Sequence, residues 1–346
     1  PITLRRAPFG RVLTAMVTPF HDDGGLDLDG AARLAEHLVT EGCDGLVISG
    51  TTGESPTTTD TEKDQLLRAV LAAVGDRAPV VAGVGTYDTH HTVELARHAE
   101  KAGAHGLLVV TPFYSKPPQE GLHRHFTAVA EATGLPVMLY DIPGRSGVAI
   151  ATETLVRLAD HDRIVAVKDA KGDLFASSEV MARTELAYYS GDDALNLAHL
   201  TQGAIGVVSV VAHVAASRYA AMVTAVDAGD LPDAVRIHRE LIPAVRAIMT
   251  RTQGAIMAKA GGQLTGVLTG RAMRSPLIEA TEEQVAELRT WADRLLENGA
   301  SGDLETFARA IGPLTDEAER LRAGGPGSRL TAGLASLERE AHAAAE

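Results

Sequence analysis

The sequence of 346 residues is short of cysteine, of positive charge and of long apolar runs. Cys43 is the one cysteine, so no intrachain disulfide can form and no cysteine-rich metal site can be built. That usage fits a reducing compartment, and a cytoplasmic location is expected. The formal charge is −13, from 32 Lys and Arg against 45 Asp and Glu. A nucleic-acid surface needs clustered basic side chains to displace phosphate counterions, and this balance argues against one. No apolar run approaches the roughly 18 residues of a membrane-spanning helix. The opening PITLRRAPFGRV is basic but lacks an apolar core and a small-residue cleavage site, so a signal peptide is not expected.

What is present is a globular composition, 45% hydrophobic and 22% charged. Length alone permits one large α/β barrel or two smaller domains. Short runs rich in β-branched or aromatic residues recur at 12–20, 44–50, 79–85, 106–112, 136–142, 164–170, 186–193 and 204–210. Each leads into a polar turn and then a helical pattern, as in LDGAARLAEHLVTEG or TVELARHAEKAG, and glycine closes most of these. Eight strands alternating with helices over about 200 residues predict a (β/α)8 TIM barrel. A doubly wound open sheet is the alternative; it would be expected to carry GxGxxG after an early strand, and GVGTYD at 83–88 lacks the third glycine. After residue 210 the pattern turns helical. The organisation predicted is a barrel over 8–212, a C-terminal helical appendage over 213–297, and an extra helical tail of unknown role over 298–346.

In such barrels the chemistry lies at the carboxyl ends of the strands and in the loops that follow. Three features stand out there. SGTTGES (49–55) sets Thr51 and Thr52 between glycines, where freed backbone N–H groups and hydroxyls can hold a carboxylate, although Thr/Gly turns are often only structural. Tyr140 ends the fifth strand and Tyr114 sits in the loop after the fourth; a tyrosine is usually a packing residue, but beside a lysine it can relay protons. Lys168 ends the sixth strand, in IVAVKDAKGD. An ordinary lysine there reaches solvent or pairs with a carboxylate, and Asp169 is adjacent. Placed in a barrel mouth, its ammonium would lose hydration and its pKa would fall, giving a neutral amine able to attack a ketone.

GTTGES, TPFYSKP, YDIPGRSG and KDAKGD, in this order and spacing, resemble the dihydrodipicolinate synthase (4-hydroxy-tetrahydrodipicolinate synthase) family. That family is a lyase group within the pyruvate-dependent class I aldolases, which include N-acetylneuraminate lyase. The likeness covers roughly residues 8–297, with PLIEATEEQ (276–284) resembling the usual C-terminal stretch. It implies condensation of pyruvate with L-aspartate 4-semialdehyde, in lysine and diaminopimelate biosynthesis. Lys168 would form the Schiff base, and Tyr140 would relay protons in a triad with Thr51 and with Tyr114 from a neighbouring subunit. Thr52 would bind the pyruvate carboxylate, Gly191 and Val208 would line the pocket, and Arg145 would grip the carboxylate of the acceptor. No metal and no organic cofactor is implied, because the lysine itself is the electron sink. The implied partners are small molecules and further copies of the chain, as a homotetramer built from two dimers.

The chain also departs from the family pattern. Tyr87 stands where an asparagine is common, Phe113 precedes Tyr114 where two tyrosines are usual, and Asp60 and Lys63 occupy the two usual histidine positions of the lysine-feedback site. Weak or absent inhibition by lysine is therefore expected. Ser115 replaces an asparagine, the segment 261–273 is atypical, and the tail is extra. These leave open a Schiff-base pyruvate aldolase acting on a different aldehyde or sugar acid. A metal-dependent barrel hydrolase would need His123 and His125 with His90 or His91, but that HxH pair falls at the start of a helix, where a solvated face is the simpler reading. A catalytically silent barrel is disfavoured by the intact Lys168, Tyr140, Thr51 and Tyr114 set.

Overall fold

The computed structural model describes residues 7–297 and residue 309. Eight parallel strands close into a barrel in chain order: β1 (Val12–Ala15), β2 (Gly45–Ile48), β3 (Val80–Gly83), β4 (Gly106–Val110), β5 (Val137–Asp141), β6 (Ile164–Asp169), β7 (Ala187–Ser190) and β8 (Gly206–Ser209). β1 pairs with both β2 and β8, which closes the cylinder and excludes the open sheet. Helices α1 (Leu28–Thr40), α2 (Asp60–Val74), α3 (Thr89–Ala102) and α4 (Gln119–Glu131) follow the first four strands. The short α5 (Pro143–Ser146) and α6 (Thr152–Leu158) follow β5; α7 (Leu174–Arg183), α8 (Asn196–Thr201) and α9 (Ala212–Asp227) follow the last three. Then come α10 (Leu231–Met249), α11 (Gly254–Leu264) and α12 (Glu282–Glu297). The tail expected over 298–346 lies outside the described residues, residue 309 excepted.

The strands are apolar on both faces because both are covered, as in any all-parallel barrel. Leu13, Val47, Val81, Leu108, Met138, Ala166 and Ala187 fill the barrel interior, while alternate residues such as Leu46, Val80, Leu107 and Val137 pack against the helices. Phe9 plugs the amino-terminal end, and Gly106 is where it passes: a Cβ there would lie 2.3 Å from the phenylalanine ring. Tyr189 donates its hydroxyl to the Gly10 carbonyl at 2.8 Å, fixing the plug. One end of the barrel is thus sealed, and the carboxyl end remains for a site.

Local signals explain the helix limits. Thr59 and Glu62 form a reciprocal capping box at α2, and Asp27, Asp88 and Asp173 cap α1, α3 and α7. Gly103 ends α3 in the left-handed conformation, whereas α1 ends at Glu41 with Gly42 one residue beyond. The strands are shorter than the β-branched runs that mark them. β1 stops at Ala15 rather than reaching 20: the Met16 N–H makes a last bond to the Val47 carbonyl of β2 at 2.9 Å, and the chain then runs on as a buried loop containing Pro19, which has no N–H to donate. α11 carries no helical hydrophobic period because it is buried on every side, from Gly254 through Gly261.

Candidate active site

β5 and β6 are in register with Tyr140 opposite Lys168, so two inward-pointing residues meet at the mouth of the barrel. The Lys168 Nζ sits 4.1 Å from the centroid of the Tyr140 ring. Lys168 is only 5% exposed, and burial lowers its pKa from 10.5 to about 7. The Arg145 guanidinium adds to that effect, while the Asp193 carboxylate opposes it. Burial pushes the Tyr140 phenol the other way, up to about 12. Near neutral pH the site therefore holds an amine that is partly unprotonated beside a phenol that keeps its proton.

These two groups open onto a cavity of ≈ 270 Å³ lined by Thr51, Thr52, Arg145, Gly191 and Val208 among others. Seven of the eight residues singled out in the sequence therefore come together. Gly191 has a clear steric reason: a Cβ there would lie 2.9 Å from Lys168 Cγ and 3.0 Å from Cε, so the bare backbone leaves the lysine its channel. Arg145 is exposed on α5 and lines both this cavity and an adjoining one of ≈ 380 Å³, which extends past Phe113 and Tyr87 to Asp60, Lys63 and His91. The lining is thus mixed, with Thr51, Thr52 and Asp192 beside the apolar Val208, Val210 and Met249, and the Arg145 guanidinium supplies a cation suited to a ligand carboxylate.

Tyr114 is the exception. It is 93% exposed, takes a left-handed φ of 73°, and lines neither cavity. Its neighbour Phe113 packs edge-on against Tyr87 at 5.5 Å. The histidines raised as metal ligands are dispersed. His125 on α4 is buried and its Nδ1 lies 2.9 Å from the Thr89 hydroxyl, so this position is a core contact and not the solvated face expected. His91 pairs with Asp60 at 2.9 Å. Among the described residues no group of three His, Cys, Asp or Glu side chains is placed to hold a metal.

Two sets of residues at the site escaped the sequence reading. Asp193 is buried and fully occupied: Oδ1 accepts from the Asn196 amide at 3.0 Å and from the Ser209 hydroxyl, and Oδ2 accepts from the N–H groups of Val210 and Val211 at 3.0 and 3.1 Å. It ties the end of β8 to the loop after β7, and so holds Val208 relative to Gly191. The signal was the DD of SGDD, which gives no hint of which carboxylate turns inward. Val245, Met249 and Thr250, from α10 and its end, close the far wall of the cavity. Nothing local marks them, because their role depends on how α10 returns over the barrel mouth.

A model of the dihydrodipicolinate synthetase family matches residues 8–294. The 4-hydroxy-tetrahydrodipicolinate synthase of Kineococcus radiotolerans is 72% identical over 281 residues, covering 81% of this chain and 91% of the relative. That of Acidothermus cellulolyticus is 68% identical, over 83% of this chain and 92% of the relative. Among solved structures, the dihydrodipicolinate synthase of Cyanidioschyzon merolae with lysine bound superposes with a TM-score of 0.81 at 39% identity, covering 84% of this chain and 99% of that one.

Proposed function

The chain belongs to the dihydrodipicolinate synthetase family, and from that membership we propose that it carries out the reaction for which its relatives are named, through a Schiff base on Lys168. The reaction joins pyruvate to L-aspartate 4-semialdehyde. The observation that carries the assignment of the nucleophile is the buried Lys168 amine, held near neutral pKa in a cavity shared with Thr51, Thr52, Tyr140 and Arg145.

The steps follow from those side chains. The neutral Lys168 amine attacks the keto carbon of pyruvate, and the carbinolamine loses water to give the iminium. Tyr140, still protonated, supplies the proton that the departing hydroxyl needs. The Tyr140 phenolate left by that step takes a methyl proton, converting the iminium to an enamine. The enamine carbon attacks the aldehyde of the semialdehyde, and Tyr140 returns the proton to the new alkoxide. The acceptor's own amine then adds to the former keto carbon and displaces Lys168, closing the six-membered ring and regenerating the free amine. Thr52 and the turn around it hold the pyruvate carboxylate, and the forked Arg145 guanidinium holds that of the acceptor. The protein's lysine provides the electron sink, so the chemistry calls for no metal or organic cofactor.

Tyr114 completes the proton relay from a neighbouring copy. A tyrosine almost wholly exposed on a left-handed turn, just past the loop that borders the cavity, is suited to such an exchange. On this reading the working unit is at least a dimer, and a dimer of dimers is the assembly we favour. The test is borohydride reduction with pyruvate followed by peptide mapping. A reduced adduct on Lys168, with turnover of aspartate semialdehyde preferred over a panel of other aldehydes, supports the assignment. An adduct on another residue, or none, refutes it.

A further inference from the structure

The turn that carries Thr51 and Thr52 is bracketed by two non-glycine residues with left-handed backbone, Ser49 at φ 52° and Glu54 at φ 56°. Such conformations persist only where surrounding contacts over-determine them, and they gather where geometry matters for function. For Glu54 the contacts come from α11 and the segment that follows it. Glu54 is 2% exposed, and its Oε1 accepts from the ammonium of Lys259, itself 1% exposed, at 2.5 Å. Its Oε2 accepts from the backbone N–H of Arg274 at 2.9 Å. Lys259 also donates to the Ala272 carbonyl at 2.7 Å and lies 4.3 Å from the centre of the Phe20 ring. Within the turn, the Glu54 N–H donates to the Thr51 carbonyl at 3.1 Å, and the Thr18 hydroxyl donates to the Gly53 carbonyl at 2.7 Å.

We propose that Glu54 and Lys259 are positioning residues for the reaction: their buried ion pair clamps the Thr51–Thr52 turn against α11, and thereby sets the pocket that receives the carboxylate of the keto acid. Glu54 does not line the cavity and touches no reacting atom; it acts through the backbone of Thr51 three residues earlier. Lys259 is 91 residues beyond Lys168 and takes no part in the chemistry. A pair of this kind is a poor device for stability alone, since burying both charges offsets most of their attraction. It is a good device for fixing one backbone conformation, because an unpaired buried charge would be strongly disfavoured in any other.

This assignment rests on the pyruvate reading above, and the test separates the two. Removing one partner strands a buried charge and can unfold the chain. The experiment therefore uses the neutral double variant Glu54→Gln/Lys259→Met, which keeps shape and an acceptor for the Arg274 N–H. Borohydride trapping on Lys168 is measured against pyruvate concentration in variant and wild type, with near-UV circular dichroism as the check on folding. The expected result is a rise of about tenfold in the pyruvate concentration giving half-maximal trapping, with the trapping rate at saturation within about twofold of wild type. A purely structural pair would leave half-saturation unmoved whatever its effect on the melting temperature, and a folded double variant with wild-type half-saturation overturns the proposal. If the double variant does not fold, Glu54→Asp, which keeps the charge but shortens its reach, is read the same way. Wild-type protein that pyruvate and borohydride leave unmodified would defeat the functional reading and this assignment with it.

Discussion

Replacing Lys168 by methionine should stabilise the protein, and the gain should depend on pH in a defined way. In the unfolded chain this lysine holds its proton up to about 10.5, and in the folded chain it releases it near 7. Between those values the unfolded state binds more protons, so wild-type stability rises with pH across that window. Below about pH 7 both states are charged and the burial penalty is present in full. At roughly 1.4 kcal/mol per tenfold change in the proton equilibrium, the interval from 10.5 to about 7 corresponds to about 5 kcal/mol. Lys168→Met removes that penalty. The pH-dependent part of its advantage over wild type should be several kcal/mol at and below pH 7, about half as large midway through the window, and gone above about pH 10.5. Loss of the polar amine from an apolar channel adds an offset that does not vary with pH. The measurement is the urea midpoint and slope of both proteins from pH 6 to 10.5, at one protein concentration so that any association is held fixed. A difference that is flat across this range, or that grows with pH, would refute the claim that burial disfavours the ammonium here. The same environment leaves about half the amine neutral at pH 7, against about one part in three thousand for an ordinary lysine. An enzyme that gives up stability for such a group follows a common trade.

Arg145→Ala should still form the pyruvate adduct on Lys168 but use aspartate semialdehyde about 10- to 100-fold less well, the range expected for losing a charged hydrogen-bond pair. The same change should move the pH midpoint of adduct formation upward, because the arginine is the second cause of the low lysine pKa; unchanged acceptor kinetics would contradict the assignment. Gly191→Ala sets a methyl 2.9 Å from Lys168 Cγ, so trapping should slow by an order of magnitude or more while the far-UV spectrum stays that of wild type. Mixing inactive Lys168→Ala with inactive Tyr114→Phe protein, after dissociation and reassembly, should restore a fraction of activity; none would be restored if Tyr114 served its own chain. Free lysine should inhibit steady-state turnover weakly or not at all, since Tyr87, Asp60 and Lys63, which line the adjoining cavity, replace the residues usual at the family's feedback site. A clear micromolar inhibition curve would overturn that.

The barrel was legible in the sequence because its signal is local and repeated. A strand covered on both faces must be apolar throughout, so seven of the eight strands announce themselves as runs with β-branched residues and β7 by its Tyr188–Tyr189 pair, while Asp27, Thr59, Asp88 and Asp173 announce the helices they cap. Lys168, Tyr140 and Thr51 were legible for a related reason. A polar residue at the carboxyl end of an apolar strand, or a hydroxyl pair between glycines, breaks a local pattern, and the break is visible without knowing what lies opposite. The limits of β1 were not legible, since an apolar run leaving the ladder as a buried loop has the same composition as one that stays in it. Nor was α11, whose burial on all sides removes the period that marks a surface helix.

Only the tertiary structure decided the rest. The Glu54–Lys259 pair joins residues 205 apart, and no pattern at either end names the other. Asp193 and Asp192 are indistinguishable as a DD pair until the ladder turns one of them toward Ser209 and the N–H groups of Val210 and Val211. Met249 becomes a wall of the cavity through the path of α10 over the barrel mouth. The sequence by itself determined which groups could do chemistry, because reactivity is a property of residue type and strand position. The fold determined how dry, how crowded and how rigidly held those groups are, because desolvation and contact depend on atoms that arrive from distant parts of the chain.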